Sequence, residues 1–213
     1  MKERAKRYLW TGLFFVATFA VWTALIQIVD VQKIGPMETA VGFASANGWF
    51  HALTGHHPSL YTITDWLGLV PILVVLLFGA MGLFQLIQRR GLLKVDHDIL
   101  LLGIYYLLVV FCYLIFEYIP INHRPVLIEG RLEASYPSST TLLVLCVMPT
   151  LVLQAKRRLQ KENVKKAICI GATLFSLFMV IGRMASGVHW LTDIIGAVLL
   201  SAGLFCIYRS VVL

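Results

Sequence analysis

Residues Gly182–Tyr208 read GRMASGVHWLTDIIGAVLLSAGLFCIY. The first twelve set Arg183, His189 and Asp193 at the spacing R-x5-H-x3-D, where a loop feeds an apolar helix. Charged groups are costly to keep at the edge of a hydrocarbon layer, so such a triplet points to function. Two further stretches match it in character: Arg124-Pro125, and the hydroxyl cluster Pro137-Ser138-Ser139-Thr140.

The apolar run after Asp193 has counterparts along the whole chain. Of 213 residues, 59% are hydrophobic and only 14% charged. A soluble domain of this size exposes far more charge. Runs long enough to cross a bilayer cover Tyr8–Val29, Trp66–Ile87, Ile99–Tyr118, Ser138–Ala155, Ala167–Ile181 and Trp190–Tyr208. They predict an all-α fold, an integral membrane bundle of six transmembrane helices forming one transmembrane domain over residues 1–213. The fifth run is short and is expected to extend by a turn at either end. No segment is left over for a separate soluble domain.

The net charge of +7 raises the possibility of a nucleic-acid partner, and its distribution excludes it. Of 18 Lys and Arg residues, only Lys33, Arg124, Arg131 and Arg183 fall outside one alternating set of termini and loops. Excess Lys and Arg mark the cytoplasmic side, which places both termini in the cytoplasm, as an even span number requires. The tract Lys156–Lys166 then serves topology and contacts anionic membrane lipids. Lys2–Arg7 ahead of an apolar run also fits a cleaved secretion signal, but about 22 apolar residues exceed a signal core, which favours a retained first span. Cys112, Cys146, Cys169 and Cys206 all fall inside runs without close-spaced partners, and so read as buried thiols rather than a disulfide framework or a zinc site.

This topology puts Glu117–Pro137 and Gly182–His189 on the same, outer side. Both arginines, the histidine and the hydroxyls therefore converge on one face. Arg124 and Arg183 offer planar donor forks that match phosphate oxygens. Ser138, Ser139 and Thr140 open a helix after Pro137, whose free N–H groups and dipole favour an anion. His189 is a candidate nucleophile toward phosphorus. Asp193 shares its helical face if the helix begins by His189, and there fixes the imidazole tautomer. Taken alone, His189 reads as a boundary histidine held for structure.

In these residues the chain resembles the type 2 phosphatidic acid phosphatase superfamily of membrane enzymes, which also includes soluble vanadium haloperoxidases. The family pattern is K-x6-R-P, then P-S-G-H, then S-R-x5-H-x3-D. Here these read Glu117-x6-Arg124-Pro125, Pro137-Ser138-Ser139-Thr140 and Gly182-Arg183-x5-His189-x3-Asp193. The likeness covers residues 117–193, in the last four spans. It implies that His189 forms a phosphohistidine, that Asp193 orients it, and that Arg124, Arg183 and Ser138 hold the phosphate, with Ser139 and Thr140 beside them. It implies no metal and no cofactor. The partner is a phosphorylated lipid: phosphatidic acid, phosphatidylglycerol phosphate, or a polyprenyl mono- or diphosphate. The expected setting is the plasma membrane, with the site on the extracytoplasmic side.

Three positions depart from the family pattern. Glu117 replaces its lysine, Ser139 its glycine, and Thr140 the histidine that protonates the leaving group. General acid–base help is worth about 10²–10⁴ in rate. Its loss harms alkoxide departure from a monoester more than phosphate departure from a diphosphate, which favours a polyprenyl diphosphate. Glu117 is a candidate substitute acid; Glu129, Glu133 and His123 are others. Against this, Glu117 faces headgroup water, and Glu129 and Glu133 pair with Arg131. The three carboxylates also suggest a divalent-ion site. The competing function is a catalytically altered binder or transport component for a phosphorylated lipid.

The remaining features are secondary. Thr39–Leu53 reads as an amphipathic helix in the outer interface. His51, His56 and His57 read as loop histidines rather than metal ligands. Trp66 and Trp190 sit at span boundaries as interfacial aromatics do. Pro149 inside the fourth span kinks it or is absorbed by its neighbours.

Overall fold

The computed structural model describes residues 2–213, and is helical apart from turns and isolated bridge pairs. The helices are α1 (Lys2–Ile26), α2 (Ala44–Thr54), α3 (Pro58–Leu67), α4 (Leu69–Arg89), α5 (His97–Tyr118), α6 (Ser139–Arg158), α7 (Glu162–Ala185) and α8 (Leu191–Val212). Among the described residues six stretches are long and apolar enough to span a bilayer: α1, α3 with α4, α5, α6, α7 and α8. The chain is thus an all-helical, multi-pass membrane bundle. A helix suits this setting because it satisfies its backbone polar groups within itself. Large apolar side chains such as Leu73, Leu76, Leu107, Phe111, Ile170 and Leu174 point outward rather than into a core.

Lipid tails are as apolar as leucine, so close packing rather than water exclusion joins such helices. The antiparallel α1–α8 pair shows this. A Cβ on Gly12 would lie 2.7 Å from Ile207 Cγ1 and 2.9 Å from the Gly203 carbonyl oxygen. A Cβ on Gly203 would meet Val16 Cγ2 at 2.8 Å. Two glycines therefore let the backbones touch. α6 packs against both α7 and α8, and these contacts hold the buried centre, including Leu142, Val144, Val147, Met179 and Ala197.

The bundle has two distinct ends. At one end are both termini, with the Arg209 guanidinium over the Tyr8 ring at 5.8 Å. There Arg158 also pairs with Asp98 and Asp96 at 2.8 and 3.1 Å, tying α6 to the start of α5. At the other end Trp22 Nε1 donates to the Thr192 carbonyl at 3.2 Å. The buried Asn47 side chain there accepts from Thr192 N–H and donates to Thr192 Oγ1, at 3.2 and 3.0 Å.

Several boundaries differ from the sequence reading. The second span begins at Pro58, about two turns before Trp66, because Pro58 starts α3 and the chain then passes through Gly68 into α4. The interfacial helix begins at Ala44 rather than Thr39. Phe43 is left-handed (φ 49°), and Gln32 and Val41 pair as a bridge instead. Trp49 and Leu53 of that helix are exposed, but Asn47 is buried against α8. α7 runs the full Glu162–Ala185, longer than the apolar run within it. α6 continues through Pro149 as one helix.

Candidate active site

His189 lies in the short link between α7 and α8. Gly187 there has φ +71°, and a Cβ on it would fall 1.9 Å from the Gly55 carbonyl oxygen. The link thus presses against the α2–α3 turn, where His57 N–H donates to the Ser186 carbonyl at 3.0 Å. This closure leaves the His189 side chain 1% exposed. Its Nε2 lies 3.1 Å from Arg183 Nη2. Burial, and then the charges of Arg183 and Arg124, hold the His189 pKa well below its usual 6.5. The ring is therefore neutral at neutral pH, as a nucleophile requires.

Asp193 occupies the third position of α8, and its Oδ2 accepts the Trp190 backbone N–H at 2.8 Å. Asn122 Nδ2 donates to Oδ1 at 3.3 Å. The expected direct contact with His189 is absent: Nδ1 and Oδ2 stand 3.8 Å apart, beyond hydrogen-bond reach. The reason is local. The helix begins at Leu191, not by His189, and the Ser135 hydroxyl stands between the two groups.

The two arginines do come together. Both guanidinium groups lie over the Tyr61 ring, Arg183 at 5.1 Å and Arg124 at 5.9 Å from its centre. Arg183 is buried among Thr64 Oγ1 (3.5 Å) and Asp65 Oδ1 (3.6 Å) of α3. Arg124 Nε is 3.1 Å from Glu133 Oε2, an ion pair whose angle does not make a hydrogen bond. Glu133 thus pairs with Arg124 rather than with Arg131. Arg124 Nη1 and Arg183 Nε are buried without an acceptor. Buried donors are normally satisfied, so three guanidinium nitrogens without a hydrogen-bond acceptor (Arg124 Nε and Nη1, Arg183 Nε) near His189 suit an anion.

A polar cavity of about 300 Å³ is lined by Arg124, His189, Ser135, Ser139, Glu133 and Glu117, among others. Of the three hydroxyl residues at the start of α6, only Ser139 faces it. Ser138 is buried, with its Oγ on Thr141 Oγ1 (3.0 Å) and its N–H on the Asp193 carbonyl (3.2 Å). Thr140 borders a neighbouring apolar cavity of about 530 Å³. Glu117 is exposed at the rim and has no salt-bridge partner among the described residues. Among those residues no group of three His, Cys, Asp or Glu side chains is placed to hold a metal ion. His51 packs against Trp190 at 5.6 Å, and His57 Nε2 contacts the Thr54 carbonyl at 2.8 Å.

Sequence reasoning missed Ser135, Asn122, Tyr61, Thr64 and Asp65. Ser135 sits two residues before Pro137, so adjacency to the hydroxyl cluster was the available signal. The α3 residues carry no spacing signal, because they reach Arg183 only through the packing of α3 on α7.

Fold and site together define a multi-pass helical membrane protein with a cationic, histidine-bearing cavity at one end. The family model of the PAP2 superfamily matches residues 104–213, and the chain belongs to that superfamily. Its structure is similar to the crystal structure of the first transmembrane PAP2 type phosphatidylglycerolphosphate phosphatase from Bacillus subtilis. The TM-score is 0.67 over 94% of each chain, at 18% identity, a likeness of fold. No curated protein matches the chain. Membership of this family supports a phosphatase-type hydrolase and a phosphorylated lipid as substrate.

Proposed function

We propose that the chain removes or transfers a phosphate from a membrane lipid phosphate through a phosphohistidine at His189, acting at the extracytoplasmic face of the plasma membrane. The observation that carries this reading is the pair of acceptor-free guanidinium nitrogens, Arg124 Nη1 and Arg183 Nε, beside a neutral buried imidazole. The substrate phosphate sits against these donors and Ser139. His189 Nε2 bonds to phosphorus as the bond to the leaving oxygen breaks. Glu117, without an ion-pair partner among the described residues and entering as the carboxylic acid, gives its proton to that oxygen and becomes the carboxylate. Water, or another acceptor hydroxyl, then attacks the phosphohistidine, returns a proton to Glu117 and frees the imidazole. Asp193 stabilises the positive ring formed in between.

The apolar surroundings favour a long-chain substrate. Tyr113, Ser139 and Leu142 border both the polar cavity and the adjoining apolar one. Val75 and Val110 border that cavity and a third, of about 710 Å³, between α4 and α5. The third reaches Leu92, Leu93 and Val95 at the far end of the bundle. Apolar walls shared between neighbouring cavities in this way suit a long polyprenyl chain. Thr140 in place of a histidine suits a diphosphate, whose phosphate leaving group needs less protonation.

Phosphate release from a panel of lipid mono- and diphosphates, compared between wild type and His189→Ala, tests the proposal. Loss of release in the variant is expected. Equal turnover by both ends the nucleophile assignment. Binding without turnover by the wild type supports the alternative, a catalytically altered binder or transport component for a phosphorylated lipid.

A further inference from the structure

Ser135 lies between the two groups that the proposed reaction joins. Its Oγ is 3.0 Å from His189 Nδ1 and 2.5 Å from Asp193 Oδ2, while those two atoms are 3.8 Å apart. Ser135 is 2% exposed, at the wall of the polar cavity.

Hydrogen-bond chemistry gives the chain of contacts one direction. A guanidinium has only donors, so Arg183 Nη2 donates to His189 Nε2 at 3.1 Å. Nε2 is then the acceptor, and a neutral ring carries its proton on Nδ1. That Nδ1–H donates to Ser135 Oγ. The hydroxyl has one hydrogen, and the carboxylate of Asp193 accepts it.

The serine is held in place from several sides. Its backbone N–H donates to the Asn122 carbonyl at 2.9 Å. The adjacent Tyr136 is buried, its hydroxyl 2.7 Å from Thr23 Oγ1 and its ring stacked on Phe19 at 5.9 Å. That ring lies so close to α8 that a Cβ on Gly196 would be 2.4 Å from Tyr136 Cε2. On the far side, Asp193 is held by Trp190 N–H and Asn122.

We infer that Ser135 is a positioning residue whose hydroxyl links His189 Nδ1 to the Asp193 carboxylate, keeping the Nδ1–H tautomer and leaving Nε2 unprotonated for attack. This rests on His189 as the reacting group. As the N–P bond forms, the ring becomes positive and keeps its Nδ1 proton. The lipid oxygen departs with the electron pair of the broken P–O bond. The serine dipole carries the stabilising effect of Asp193 to the ring with no proton changing owner.

Nitrogen-15 NMR of histidine-labelled wild-type protein in detergent reads the tautomer directly, without a substitution. An Nδ1-protonated, Nε2-bare ring for His189 is expected; a resting Nε2-protonated ring overturns the inference. In Ser135→Ala only the Arg183 contact still favours this tautomer, so a second, Nε2-protonated population is expected to appear, and kcat to fall about 10²-fold with KM within about twofold. A folded Ser135→Ala protein with wild-type kcat and an unchanged tautomer also overturns it. Ser135→Thr, which restores the hydroxyl, is expected to recover the Nδ1–H signal. His189→Ala separates the two ideas: its full activity overturns the phosphohistidine, whereas the NMR readout judges Ser135 alone.

Discussion

Arg183 donates to His189 Nε2 across 3.1 Å, so the cation proposed to bind phosphate also suppresses protonation of the group proposed to attack it. Burial comes first among the causes that depress this histidine, and the Arg183 charge second. As pH falls through 6.5 the ring is expected to stay neutral. Removing the neighbouring positive charge raises the pKa, so Arg183→Gln is expected to move the His189 midpoint upward in an NMR titration. The same variant should slow phosphate release by at least about 10²-fold, as loss of one charge-stabilising donor does. An unmoved midpoint contradicts the electrostatic account.

Glu117, the cavity carboxylate without a cation partner among the described residues, is the proposed acid. Glu117→Gln keeps its shape and removes its proton. Release from lipid monophosphates is expected to drop by about 10²–10⁴-fold, and from diphosphates by less. Initial rates on matched mono- and diphosphate lipids measure the ratio. Equal losses on both remove the leaving-group argument.

Gly196 admits the Tyr136 ring against α8, since an added Cβ would come within 2.4 Å of Tyr136 Cε2. Gly196→Ala therefore overpacks a buried contact, typically at a cost of about 1–3 kcal/mol. A lower Tm in detergent is expected, together with reduced turnover, because Tyr136 carries Ser135. Gly171, whose added Cβ would meet nothing within 4 Å, supplies the control: Gly171→Ala should leave both unchanged.

At the opposite end, hydrogen bonds from Arg89, Arg158 and Gln85 hold Asp96 at about 2, against the usual 3.8. A depressed carboxylate contributes stability that is complete above pH 3.8 and is lost as pH falls through about 2. Thermal unfolding across that window should show the loss. Asp96→Asn should lower Tm at neutral pH and flatten the acid dependence, because its stabilising contacts no longer depend on protonation.

The membrane class, the six spans and the cluster formed by Arg124, Arg183 and His189 were legible in the sequence. Hydropathy adds up along a helix, and a bilayer selects length and polarity, so local composition suffices for those features. Motif spacing carried the candidate residues because they lie close together within two short stretches. The start of the second span was not legible. Pro58 and Gly68 join α3 to α4 only in the context of what α3 packs against. Nor was the route from His189 to Asp193. Spacing of four suggests a shared helical face, yet α8 starts too late and a serine from a remote loop intervenes. Tertiary structure alone decided that Thr140 borders the apolar cavity, that Glu133 meets Arg124, and that Tyr61 lies beneath both guanidinium groups. The physical reason is that hydrogen bonds and ion pairs act over about 3 Å. Sequence order records which groups exist, and only packing brings distant ones within that range.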